Sequence, residues 1–213
     1  LNLLKSDECV SCDCLKWNHM NTLRWVILRD VKLKNVICGS EDDCEMLWQL
    51  HNSGFSVRSL ELLCPLSTSL PFQNLVALTC HSLSELVCGL IENNPNLEKL
   101  TLKNHDNSEA ELSAAFYAPS LRGLEVHNSN CNRWRCAHDC ASLLSLVQAG
   151  KLRSLKLDYF NPGDTMANIA HSCPLLENLD LNCELIPDET LQTIAGSCAL
   201  ITTLRLSSCG VMT

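Results

Sequence analysis

Residues 169–183 read IAHSCPLLENLDLNC. Leucines stand at 176, 179 and 181, a step of three followed by a step of two. A helix alone would favour steps of three and four, and a strand alone would favour two throughout. The segment obeys neither rule, and the chain then writes it again. Residues 194–209 read IAGSCALITTLRLSSC, placing Ile201, Leu204 and Leu206 25 positions after Leu176, Leu179 and Leu181. Cys198 follows Cys173 at the same distance.

The pattern extends upstream. NPNLEKLTL carries Leu97, Leu100 and Leu102; APSLRGLEV carries Leu121, Leu124 and Val126; GKLRSLKLD carries Leu152, Leu155 and Leu157. Taking Phe72 as a further start, the spacings are 25, 24, 31, 24 and 25. LxxLxL at such a period is the signature of a leucine-rich repeat. The first leucine anchors a bend. The next two point from one face of a short strand into a core, and the residue between them faces away. Consecutive parallel strands need a crossover, usually a helix. SLSELVCGLIENN supplies Ser82 and Glu85 at capping-box spacing, and SEAELSAAFYA supplies Ser108 and Glu111. DETLQTIAGS offers Asp188 as a cap, and residues 43–51 and 140–149 also read as helical. Gly54 and Gly150 serve as stops, and Pro95, Pro119 and Pro174 end a helix and begin an extended segment.

The expected fold is therefore α/β: a leucine-rich-repeat solenoid, a right-handed horseshoe arc with a parallel sheet on the concave face and helices on the convex face. Residues 1–213 form a single domain of about eight repeats, irregular over 1–80 and regular over 81–213. In the irregular part, Leu23, Val26 and Leu28 fit the pattern, as do Val57, Leu60 and Leu62, with an insertion between them. Phe72, Leu75 and Ala77 fit more loosely, and the loop PLSTSLP returns the chain to them. Burying a leucine contributes about 1.5–3 kcal/mol, which ordering the backbone largely cancels in one repeat. Stability must come from stacking. Neither end shows a polar cap, so the sequence reads as a piece of a longer protein.

Of 213 residues, 15 are cysteine, an odd number, and no N-x-S/T sequon occurs. Cys80, Cys88, Cys173, Cys198 and Cys209 fall on crossover helices or beside strands, where a free thiol acts as a small hydrophobe. The expected setting is a reducing compartment, cytoplasmic or nuclear. SCPLLENLDLNC and SCALITTLRLSSC resemble the cysteine-containing class of leucine-rich repeat, known from F-box/leucine-rich-repeat proteins. Cys80 and Cys209 stand at that class's strand-end cysteine position. The resemblance covers roughly Leu83 to Cys209 and implies a substrate receptor of a cullin-type ubiquitin ligase. An F-box adaptor contact would require an F-box outside this chain.

Two cysteine groups invite a metal reading: Cys9, Cys12 and Cys14 near His19, and Cys131, Cys136 and Cys140 with His138. The first has one CxxC without a matching pair and the second has none. Both read as insertion loops, and no metal or other cofactor is expected. GxSxG, HExxH, Walker and GxGxxG motifs are absent from the sequence, so no enzyme is expected. His127 and Asp158 fall on adjacent strands and read as a surface hydrogen bond. A net charge of −8 repels phosphate, which disfavours nucleic acid. No apolar run approaches membrane-spanning length, so no membrane partner is expected.

The expected partner is a protein, such as a ubiquitination substrate, docked on the concave face. The residues between strand leucines form a ladder: Ile27, Glu61, Val76, Thr101, Glu125, Lys156, Asp180 and Arg205. Its last four alternate in sign and are placed to pair across the sheet. Trp25, Arg29, Leu63 and Leu78 add an apolar and cationic patch at the front. The insertion residues Arg133, Trp134 and Arg135 are a second candidate. The alternative role is a receptor or signalling adaptor domain without ligase function.

Overall fold

A computed structural model describes residues 10–11, 35–38, 47–49, 51–52, 54, 56–66, 69–70, 72–81, 83–103, 118–127, 151–158, 170–182, 185–207 and 210–211. The chain is α/β, built on one open, all-parallel sheet. Its strands are β1 (Val10–Ser11), β2 (Asn35–Cys38), β3 (Ser59–Leu62), β4 (Ala77–Cys80), β5 (Lys99–Lys103), β6 (Gly123–His127), β7 (Ser154–Asp158), β8 (Asn178–Asn182) and β10 (Thr203–Ser207). They lie side by side in chain order, except that β9 (Leu185–Ile186) leaves to pair with β11 (Gly210–Val211) in a second, two-stranded parallel sheet.

The register explains the leucine spacing. Leu60 opposes Leu78, Leu78 opposes Leu100, and the row continues through Leu124, Leu155, Leu179 and Leu204. From Leu60 to Leu179 these side chains are buried, as are Leu62, Cys80, Leu102, Val126, Leu157 and Leu181 two residues on. They belong to one continuous core. A shift of one residue would turn the whole set toward solvent, so burial fixes the register.

A backbone motif reinforces it. From β3 to β8, the carbonyl of the residue just before the strand accepts two N–H groups from the next chain pass. Arg58 O accepts from Val76 N at 2.7 Å and Ala77 N at 3.1 Å. Val76, Glu98, Arg122, Arg153 and Glu177 do the same in turn. These residues form a row along the strand-entry edge.

Helix α1 (Glu85–Glu92) crosses from β4 to β5 and buries Val87, Cys88, Leu90 and Ile91 on one face. Its N-cap is Ser84, whose hydroxyl accepts from Val87 N at 3.4 Å; the predicted cap, Ser82, lies outside the described residues. Helix α2 (Asp188–Ser197) spans the predicted DETLQTIAGS. Asp188 is its first helical residue, and Pro187 stands at the cap without a side-chain bond. Asp188 and Glu189 instead place negative charge in the first turn, where the helix dipole favours it. Residues 47–49 and 51–52 are helical as expected. Gly54 follows with φ +81°, which a glycine adopts without strain, and its N–H bonds His51 O at 2.8 Å.

The front differs from expectation in two places. The anchor of β4 is Leu75, not Phe72, because Leu78 and Cys80 take the positions of Leu60 and Leu62. Phe72 is also buried, so its apolarity alone made it a plausible anchor. Second, the strand beside β3 is Asn35–Cys38, from the segment read as an insertion. Its sequence NVIC carries Cys38 opposite Leu62, so a cysteine hid the pattern. The expected repeat at Leu23, Val26 and Leu28 lies outside the described residues, as do the proposed helices containing Ser108, Glu111 and residues 140–149. Cys80 is the last residue of β4, with its side chain in the core, and Cys209 lies outside the described residues. Among the described residues, no helix is long and apolar enough to cross a membrane.

Candidate functional site

The face of the sheet turned away from the leucine core carries the residues between them. Along the middle row, Glu61 opposes Thr79, Thr79 opposes Thr101, and Thr101 opposes Glu125. Lys156, Asp180 and Arg205 continue it. Val76 therefore leaves the ladder and Thr79 replaces it. Val76 sits one residue before β4, on the strand-entry edge. Leu78 leaves the surface altogether: it is 1% exposed. Both corrections follow from moving the anchor three residues, an odd number, which exchanges the two faces.

Of the remaining expected residues, Leu63 is 42% exposed just after β3. Trp25, Ile27 and Arg29 lie outside the described residues, as do Arg133, Trp134, Arg135 and both cysteine groups proposed for metal. Among the described residues, no group of three or more His, Cys, Asp or Glu is placed to hold a metal ion. An exposed aromatic that the sequence reading passed over is Trp48, whose indole N–H donates to Ser69 O at 3.3 Å. It lay inside a predicted helix, where nothing in the sequence separates a core-facing from a solvent-facing tryptophan.

The ladder charges do not pair straight across. Among the described residues, Glu125 and Lys156, Lys156 and Asp180, and Asp180 and Arg205 oppose one another without forming ion pairs. Pairing instead runs diagonally. Lys99 reaches Glu125 at 2.7 Å, and Lys103 reaches across two strands to Glu61 at 2.5 Å. Thr101, buried beneath them, donates to Glu125 Oε2 at 3.4 Å. Burial pushes the Glu125 carboxyl up, but Lys99 and then His127 outweigh it and hold the group below its ordinary value.

His127 stands between two carboxylates. Nδ1 hydrogen-bonds Asp158 Oδ2, and Nε2 lies 3.7 Å from Glu125 Oε2. The approach expected from adjacent strands is present. Lys156 adds a longer contact to Asp158, at 3.9 Å. The middle of the face is thus a connected polar lattice over β5, β6 and β7. Toward β8 and β10, Asp180 and Arg205 offer their charges to solvent.

On the opposite side, thiols take part in packing. Among the described residues, Cys64, Cys80, Cys173 and Cys198 are thiols outside any disulfide. The Cys198 thiol lies 3.5 Å from Cys173 O and 3.4 Å from Ala170 O in the preceding pass. Asn94 makes the equivalent bridge nearer the front. Its Nδ2 donates to Phe72 O at 2.8 Å and Leu90 O at 2.6 Å, and its Oδ1 accepts from Leu75 N at 2.8 Å. Asn94 and Cys198 each stand three residues before an anchor, Leu97 and Ile201. Sequence reading saw the cysteines but not Asn94, because only a match of position, not of residue type, reveals the shared role. Burial pushes the Cys80 thiol up to about 12, with Cys88 adding to it. Burial, then Cys198, takes Cys173 to about 12 as well. Such thiols are poor nucleophiles and suit packing.

Neither a protein-family model nor a curated protein matches the chain.

Proposed function

We propose that this chain is a protein-binding scaffold: a leucine-rich-repeat arc whose open sheet face is the concave docking surface. The observation that carries this reading is the contrast between the faces of one sheet. One face is filled by aligned leucines. The other presents an ordered polar grid, part locked in diagonal ion pairs and part, at Asp180 and Arg205, without ion-pair partners among the described residues. Stacked parallel strands hold such side chains at fixed intervals of about 4.8 Å, which suits recognition by shape and charge. Catalysis is disfavoured by the same geometry. Both ring nitrogens of His127 face carboxylates, so neither is aimed at a nucleophile.

The resemblance to F-box/leucine-rich-repeat proteins extends the proposal: the partner is a ubiquitin-ligase substrate, and the setting is cytoplasmic or nuclear. The buried thiols of Cys80, Cys173 and Cys198, outside any disulfide, support a reducing compartment. Proximity labelling in cells with wild type and a Lys156→Glu/Asp180→Lys/Arg205→Glu variant tests the docking face. A set of labelled proteins lost in the variant, with its fold retained by circular dichroism, is expected; an unchanged set overturns the reading. Ubiquitination of a lost partner separates the ligase role from that of an adaptor.

A further inference from the structure

The strand-entry edge carries a second feature, independent of the open face. A groove of about 600 Å³ runs along it from the approach to β3 to the approach to β7. Its charged residues are Arg58, Arg122, Lys151 and Glu98. Three cations against one carboxylate make it locally positive, in a chain whose net charge is −8. All four are exposed. The neighbouring Arg153 is neutralised by Glu177. Arg58 and Arg122 have no side-chain partner among the described residues, and Lys151 reaches only the Pro119 carbonyl, at 3.1 Å. Asn74 and Asn96 line the groove between the two arginines, with side-chain amides able to hydrogen-bond a ligand.

The spacing of these groups is fixed by the sheet. Arg58 and Arg122 precede β3 and β6, so their backbones stand three strand intervals apart, about 14 Å. An extended peptide rises about 3.3 Å per residue. Acidic side chains four residues apart on such a peptide would therefore meet one arginine each. Guanidinium groups suit carboxylate and phosphate alike, because their donor fork binds both bidentately. The amides between them match the polar backbone of a bound strand.

We infer that this groove binds an extended acidic segment of a partner protein, with anionic side chains spaced four residues apart clamped by Arg58 and Arg122. Lys151 adds a less directional positive charge at the β7 end. Nucleic acid fits less well, since the remainder of the acidic chain would repel a long polyanion.

Fluorescence anisotropy tests the inference with labelled Gly/Ser decapeptides carrying two glutamates, or two phosphoserines, four residues apart. Saturable binding by at least one peptide is expected, weakened about tenfold or more in Arg58→Gln/Arg122→Gln. Binding should also weaken with added salt and when the two acids are made adjacent. The inference is overturned if neither peptide binds, if the double variant loses less than twofold, or if a ten-nucleotide oligothymidylate binds as tightly. Should the double variant not fold, the wild type decides: indifference to both salt and acid spacing overturns the inference. Because Arg58 and Arg122 lie off the open face, the labelling experiment above can fail while this one succeeds, and the reverse.

Discussion

Strands β8 and β10 carry nearly the same pattern, NLDLN and TLRLS, in register with each other. Yet Leu179 and Leu181 are each 1% exposed, while Leu204 and Leu206 are 47% and 40% exposed. The difference is position. β8 has a strand on either side, whereas β10 is the edge of the main sheet. A leucine of this pattern is buried by the pass that follows it as much as by its own, so the sequence pattern states a capacity for burial and stacking realises it.

The largest test of that contrast is a pair of truncations. Leu179→Ala should cost about 2–5 kcal/mol, by lost transfer energy and a residual cavity. Leu204→Ala should cost well under half as much, because its side chain is already half in water. Denaturant unfolding of the two variants measures both, and equal losses would break the comparison.

A second test compares the two inter-pass bridges. Asn94→Ala strands the Leu75 N–H and the Phe72 carbonyl in the core, at about 2–3 kcal/mol. Cys198→Ala removes only weak thiol contacts and a small side chain, and should cost about 1 kcal/mol. The same denaturant titrations rank them, and a larger loss at Cys198 would mean the thiol is the stronger bridge.

A third uses pH. The folded thiols of Cys80 and Cys173 hold their protons up to about 12, against an ordinary value of 9.0. Below pH 9 both states keep the proton, and the contribution is fully present. As pH rises from 9 toward 12, the unfolded chain ionises first, and stability falls by about 1.4 kcal/mol per pH unit for each such thiol. Thermal melts between pH 8 and 10.5 should show the decline, and Cys80→Ala should reduce its slope. Folded-state alkylation at these two positions should be slow at pH 8 and become fast only on unfolding.

The smallest effect belongs to the open face. Glu125, held below its ordinary value by Lys99 and His127, contributes stability above pH 4.5 that is lost as pH falls through its lowered folded value. Glu125→Gln should remove that part of the acid dependence while costing less than about 1 kcal/mol near neutrality, as exposed pairs do. Acid titration followed by circular dichroism checks it. A larger loss would mark the face as structural rather than free for a partner.

How much was legible depended on residue chemistry. From Leu97 onward every anchor and both strand leucines were readable, because Leu, Ile and Val marked each position. In the front, Cys38 and Cys80 fill core positions that leucine fills elsewhere, and Phe72 imitated an anchor beside Leu75. One mistaken anchor moved Val76 and Leu78 to the wrong surface. The cap at Ser84 was misplaced at Ser82 for a related reason: SLSE holds two serines ahead of the same glutamate. His127 and Asp158 were placed together correctly, since parallel strands in known register bring equal positions side by side. The diagonal reach of Lys99 and Lys103 was not legible, because a long flexible side chain selects among several carboxylates.

By itself, the sequence determined the period, the parallel strand order from β5 to β10, and which residues alternate between core and surface. Those follow from side-chain alternation and from the need to bury leucine. Only the tertiary structure decided which charges pair, which thiols and amides bridge successive passes, and where a groove opens between Arg58 and Arg122. These depend on distances between passes that are far apart in sequence, set by packing rather than by any local preference.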